Sequence, residues 1–226
     1  MQSFLQQKYQ HLCPDQLPLA IVPPINENEA QFFLRGLEQG IFSIDEEGYV
    51  QTQLLPLPSG QNRKQKSIQL FWTGRHCRFL FREGVCQLST VASLILKYGW
   101  SADQIAMEPG RRDFGKLGYG VDVVIRNAQR QIVVCGDVKR DARELQLLIH
   151  GFRYCCGVGP HYKDACRFKR DHAKYEFCSV AKPSYFFATA PGQEICFMLS
   201  HNGQVAIQKE SSRLVYPADI LASCNS

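Results

Sequence analysis

The chain contains no uninterrupted apolar run of membrane-spanning length, and residues Met1 to Tyr9 are too polar for the hydrophobic region of a secretory signal. A membrane-embedded or exported enzyme is therefore not expected. No Gly-x-x-x-x-Gly-Lys-Ser/Thr phosphate loop is present, which leaves out an ATP-driven motor. The ten cysteines show no paired C-x-x-C framework, and several fall inside apolar stretches. That argues against a disulfide scaffold and for reduced thiols in the cytoplasm, with Cys135 and Cys196 as core residues.

Against these absences stand two short β-branched runs. Tyr119-Gly120-Val121-Asp122-Val123-Val124-Ile125 is followed, after the polar stretch Arg126 to Arg130, by Gln131-Ile132-Val133-Val134-Cys135-Gly136-Asp137-Val138-Lys139. This is the pattern of a β-hairpin with a polar connection. Side chains alternate along a strand, so Asp137 and Lys139 share one face while Val138 points away. Antiparallel pairing sets Asp122, at the start of the first strand, beside the end of the second. Two carboxylates and one amine then converge. A solvated Asp/Lys surface pair, worth little energetically, is the plainer reading; the apolar strand leading to Asp137 argues against it. Mg²⁺ suits such a group, being held by one or two carboxylates while keeping waters. The neighbouring ammonium would orient or deprotonate the attacking water and offset charge in the transition state.

The flanks supply order. Val85, Leu88, Ala92, Ile95 and Leu96 recur at helical spacing in a helix that opens at Arg82-Glu83 and closes at Gly99, and Glu108 follows Ile105-Ala106-Met107. Asp141 to Tyr154 reads as a second helix, with Leu145, Leu148, Ile149 and Phe152 on one face. The sequence Asp, fourteen residues, then Asp-x-Lys, set in the order helix, strand, strand pair, helix, strand, resembles the PD-(D/E)XK nuclease superfamily. Within it the chain is similar, over about residues 79 to 203, to the amino-terminal nuclease domain of type I restriction enzyme motor (R) subunits. Lys97-Tyr98-Gly99-Trp100 with Ile105 and Glu108, Gly118 to Asp122, and Gly136 to Arg140 carry the match, with Asp137 where that family has Glu. On the downstream helix the family's Gln-x-x-x-Tyr finds Tyr154 but His150 in place of Gln, leaving Gln146 or His150 as the polar group that reaches the site.

The resemblance implies an α/β protein with a restriction-endonuclease-like mixed β-sheet core flanked by helices. Residues 1–75 would form an N-terminal extension or accessory subdomain, and 76–226 the nuclease-like domain with a Cys/His-containing insertion at about 155–180. It implies a metal-dependent phosphodiesterase, a DNA endonuclease before an RNA one. Asp122, Asp137, the Val138 carbonyl and a glutamate, Glu108 or Glu83, would hold Mg²⁺ or Mn²⁺, and Lys139 would position water for in-line attack. Any translocation or methylation machinery of a restriction, defence or mobile-element system would be on partner proteins. A non-catalytic nucleic-acid-binding or assembly module of the same fold is the alternative.

A net charge of +5 is mild, but its distribution is uneven. Arg111, Arg112, Lys116, Arg140, Arg143 and His150 surround the carboxylates and are the candidate contacts to nucleic acid; Arg167, Lys169, Arg170 and Lys174 add to the cluster. Cys156, His161, Cys166, His172 and Cys178 are candidate structural Zn²⁺ ligands by type, although free cysteines and surface histidines remain the default at these spacings. No carboxylate-rich strand end lies in that segment, which sets it apart from the chemistry. Nearer the amino terminus, a helix is expected from about Glu27 to Gly40, capped by Asn26 or Asn28, and a strand from Ser67 to Trp72, after the basic connector 59–66.

Overall fold

Asn26 and Glu29 satisfy each other's backbone at a helix start, which settles the choice of cap. Asn26 Oδ1 accepts the Glu29 N–H at 2.8 Å, and the Glu29 carboxylate accepts the Asn26 N–H at 3.4 Å. The structure, a computed structural model, describes residues 1–12, 21, 23–55, 68–73, 78–109, 120–156, 163–169, 171–202 and 205–223. Arg111, Arg112, Lys116, His161, Arg170 and the connector 59–66 lie outside the described residues, as does the Cys156 side chain.

Helix α1 (Gln2–Tyr9) precedes the Asn26-capped α2 (Glu27–Glu38). Two small antiparallel pairs follow, β1 (Ser43–Ile44) with β2 (Val50–Gln51) and β3 (Phe71–Thr73) with β4 (Arg78–Leu80). Helix α3 (Arg82–Leu96) buries Val85, Leu88, Val91 and Ala92, and the chain leaves it through Gly99, whose φ of 79° suits a residue without Cβ. Beyond it come β5 (Ile105–Met107), β6 (Val123–Arg126), β7 (Ile132–Val138), α4 (Ala142–Gly151), α5 (His172–Ala181), β8 (Tyr185–Ala190), β9 (Gln193–Ser200), β10 (Ala206–Ser211) and α6 (Pro217–Ser223).

Strands β5 to β10 build one six-stranded sheet in the order β10-β9-β8-β7-β6-β5. Every neighbouring pair is antiparallel except β7 with β8, which run parallel, Val138 opposite Thr189. A parallel pair needs a crossover, and α4 and α5 lie within it. Alternation divides the core between the two faces of the sheet. Val123, Ile125, Val134 and Phe187 pack on one side with α1, α2 and α3, through Leu5, Phe33 and Leu88 among others. Val124, Cys135, Phe186 and Phe197 pack on the other with Leu145, Leu148 and Tyr175 of α4 and α5. The chain is thus a mixed α/β protein whose sheet has helices on both sides. The amino-terminal helices share a core cluster with α3 and the sheet. Among the described residues no helix is long and apolar enough to cross a membrane.

Two elements differ in extent from the sequence reading. The downstream helix stops as an α-helix at Gly151 rather than running to Tyr154 and continues as a wider π turn over Phe152–Cys156. The wider turn carries Phe152 into a stack with Phe186 and Phe197, at ring-centroid distances of 4.4 and 5.9 Å. The strand expected from Ser67 to Trp72 is shorter, with Ser67 outside the described residues and β3 covering Phe71–Thr73; past β8, β9 and β10 continue as an antiparallel meander.

Candidate active site

The hairpin sets the first carboxylate in place. Val123 pairs with Gly136, and one residue further the Asp122 N–H donates to Gly136 O at 2.9 Å while the Val138 N–H donates to Asp122 Oδ2 at 2.6 Å. Backbone and side chain of Asp122 are both fastened to the end of β7. Asp137 projects from that end and is 2% exposed; Lys139 Nζ stands 2.6 Å from its Oδ2. The expected shared face of Asp137 and Lys139 is therefore observed. That contact is a close ion pair between two buried side chains. The Lys139 backbone is held by its own N–H to Thr189 O at 2.7 Å, the first bond past the β7–β8 ladder.

Glu108 completes the carboxylates from the end of β5. Its N–H donates to Asp122 O at 2.7 Å, and its carboxylate accepts Gln87 Nε2 from α3 at 2.7 Å. A φ of 44° puts Glu108 in the left-handed region, a conformation costing about 1–2 kcal/mol for a residue with a Cβ and found disproportionately at functional sites. Glu83, one turn before Gln87, adds its charge to that felt by Glu108 and Asp122.

Burial, then the charges of Asp137 and Glu108, push the Asp122 carboxyl well above the usual carboxylate range against the Val138 N–H bond. Burial likewise raises Glu108; the Gln87 bond opposes this, Glu83 and Asp137 add to it, and Lys174 counters them. For Lys139, burial pulls the ammonium's pKa down, but Asp137, Asp171 and Asp122 outweigh it and the net displacement is upward.

Three residues at the site were not assigned to it from sequence. Lys174 Nζ of α5 lies 3.4 Å from Asp137 Oδ1, and Asp171 accepts Lys139 Nζ at 3.4 Å, so the Cys/His segment does reach the carboxylates. Gln87 is the third; a long polar side chain one turn after Glu83 on the mostly apolar α3 was the available signal. Conversely, Arg140 is exposed and paired with Glu144 at 3.1 Å and Asp141 at 3.4 Å at the start of α4. Arg143 and His150 lie on the outer side of α4, where His150 packs on Tyr154 and Phe168 at 4.8 and 5.5 Å. Gln146 lines the same outer groove, so neither it nor His150 fills the place expected beside the carboxylates. A cleft of about 250 Å³ opens next to Lys139 between α4 and the residues before α5, with Arg167, Phe168 and Lys169 at its wall.

Of the candidate zinc ligands, Cys166, His172 and Cys178 are described, and each has a partner of its own. Cys178 is fully buried with its Sγ 3.5 Å from Cys135 Sγ, Cys166 Sγ accepts the Phe168 N–H at 3.2 Å, and His172, buried rather than on the surface, lies 3.5 Å from Glu176. Among the described residues no three His, Cys, Asp or Glu side chains converge closely enough to hold a metal ion, at this segment or at the hairpin. The five cysteines described in full are free thiols. Comparison with protein-family models, with curated proteins and with solved structures gives no match for this chain.

Proposed function

We propose that the chain is a metal-dependent phosphodiesterase that cleaves nucleic acid, DNA before RNA, on a restriction-endonuclease-like core of the PD-(D/E)XK type. One observation carries the reading: Asp122, Asp137 and Lys139 meet at the buried end of a hairpin, where burial and then the neighbouring carboxylates raise the proton affinity of Asp122. The donor chemistry fits a hard divalent cation, since carboxylates and a carbonyl are oxygen ligands. Asp122, Asp137, the Val138 carbonyl and Glu108 would hold it. Their partners in the structure are the Val138 N–H, two lysines and Gln87. When bound, Mg²⁺ or Mn²⁺ supplies Lewis acidity and a water of lowered pKa.

The chain's own groups do the rest. Lys139 faces the phosphate with a fixed positive charge, set by Asp137 and Asp171 so that it needs no reorganisation as charge develops. Arg167 and Lys169 at the adjoining cleft bind flanking phosphates. A non-catalytic nucleic-acid-binding module is the second reading, favoured by Asp137 already facing two ammonium groups. Plasmid, linear, single-stranded and branched DNA and single-stranded RNA, each incubated with Mg²⁺, Mn²⁺ or chelator, separate the two. Cleavage that requires the ion supports the enzyme; binding without cleavage of any substrate supports the module.

A further inference from the structure

Lys174 sits in the wrong place for one more surface cation. It projects from the first turn of α5 with its side chain 13% exposed, and its Nζ lies 3.4 Å from Asp137 Oδ1 and 3.7 Å from Asp171 Oδ1. Its charge also reaches Glu108, whose carboxyl it holds lower than it would otherwise be. With Lys139 on Oδ2, both oxygens of the buried Asp137 carboxylate face an ammonium. Two carboxylates, Asp137 and Asp171, are thereby balanced by two lysines, while among the described residues Asp122 and Glu108 accept hydrogen bonds from neutral donors, the Val138 N–H and the Gln87 amide.

We infer that Lys174 is a built-in counter-cation of this site, standing on the side of Asp137 that a divalent cation would share and competing with that cation for it. The inference rests on the metal-dependent reading above. Its physical basis is that two cations on one carboxylate repel, and that the repulsion is larger in a mostly buried setting than in water. The lysine comes from α5 and not from the hairpin, so movement of one side chain on a separate helix can free Asp137 without disturbing the β6–β7 ladder. Lys139 is the more closely paired of the two, at 2.6 Å from Asp137 Oδ2 against 3.4 Å for Lys174 from Oδ1.

The test is a Mn²⁺ titration of the full chain, followed by loss of the free-ion electron paramagnetic resonance signal. It compares the wild type with Lys174→Met, Lys174→Arg and, as a control for the site, Asp137→Asn, each checked for native circular dichroism. Lys174→Met keeps the length of the stem and removes the charge; it is expected to bind Mn²⁺ at least about tenfold more tightly, whereas Lys174→Arg stays near wild type. Affinity that is unchanged or weaker in Lys174→Met, or no Mn²⁺ binding in any form, overturns the inference, as does tighter binding that survives Asp137→Asn. The parent reading fails differently: the wild type then cleaves no nucleic acid with Mn²⁺, whatever the titration shows.

Discussion

Asp122 accepts the Val138 N–H at 2.6 Å yet stands, part-buried, beside the charges of Asp137 and Glu108, and the unfavourable side of that balance prevails. An acid whose pKa is raised on folding is taken up by the native state with its proton. Its contribution to stability is complete below the unfolded value near 3.8 and is lost as pH rises through the raised native value. Asp122→Asn keeps an acceptor for Val138 and removes the charge. It is therefore expected to melt like wild type in acid and to be more stable by ~1–2 kcal/mol at neutral pH, the scale of relieving a poorly compensated buried charge. Thermal denaturation across pH measures it, and a variant less stable than wild type at neutral pH would contradict the charge assignment. At this scale the sequence was legible only along one strand pair. Alternation places Asp137, Lys139 and Asp122 because the period is local. Lys174 and Asp171 reach the site through an intervening crossover, and nothing in their spacing tells a lysine that meets a buried carboxylate from one that meets water.

Strand β7 depends on the smallest of its residues. A Cβ built on Gly136 would come within 2.1–2.3 Å of the Phe187 ring, which lies across the strand on the first core face and is 1% exposed. Gly136→Ala must displace that ring or the strand, at about 1–3 kcal/mol for overpacking. Gly136 O also receives the Asp122 N–H, and Asp137 is the next residue, so the strain falls on the site. The variant is expected to remain folded with a lowered melting temperature and to lose more of its metal affinity than its loss of stability explains. A melting temperature equal to wild type would show that the sheet absorbs the methyl without cost. Elements with a strong period were readable: α3 from its apolar spacing, α2 from its cap, the hairpin from its two runs. The end of α4 was not, because the π turn is chosen by an aromatic stack with β8 and β9, which is tertiary and leaves no local mark. The pairing of α2 with α3 was equally hidden. It is made by a buried ion pair in which Arg82 Nη1 and Nη2 reach the Glu29 carboxylate at 2.5 and 2.8 Å.

Across the whole molecule, the sheet is closed on both faces by helices, and its polar residues are concentrated where the ends of β5, β6, β7 and β8 meet α3 and α5. That concentration is costly for folding, and the proposed function assigns it to chemistry or recognition. The choice between those two turns on Lys139, whose ammonium faces Asp137 and the cleft carrying Arg167 and Lys169. The decisive measurement is the parallel determination of cleavage rate and binding affinity for Lys139→Ala against wild type, on whichever nucleic acid the wild type cuts, with Mg²⁺ or Mn²⁺ for cleavage and chelator for binding. The account predicts that the single-turnover rate falls by about a thousandfold or more, the scale of losing a preorganised charge at the transition state. Binding, carried by the other cations, should weaken by no more than about tenfold. Turnover that is unchanged in Lys139→Ala, or a wild type that binds nucleic acid and cuts none, would contradict it.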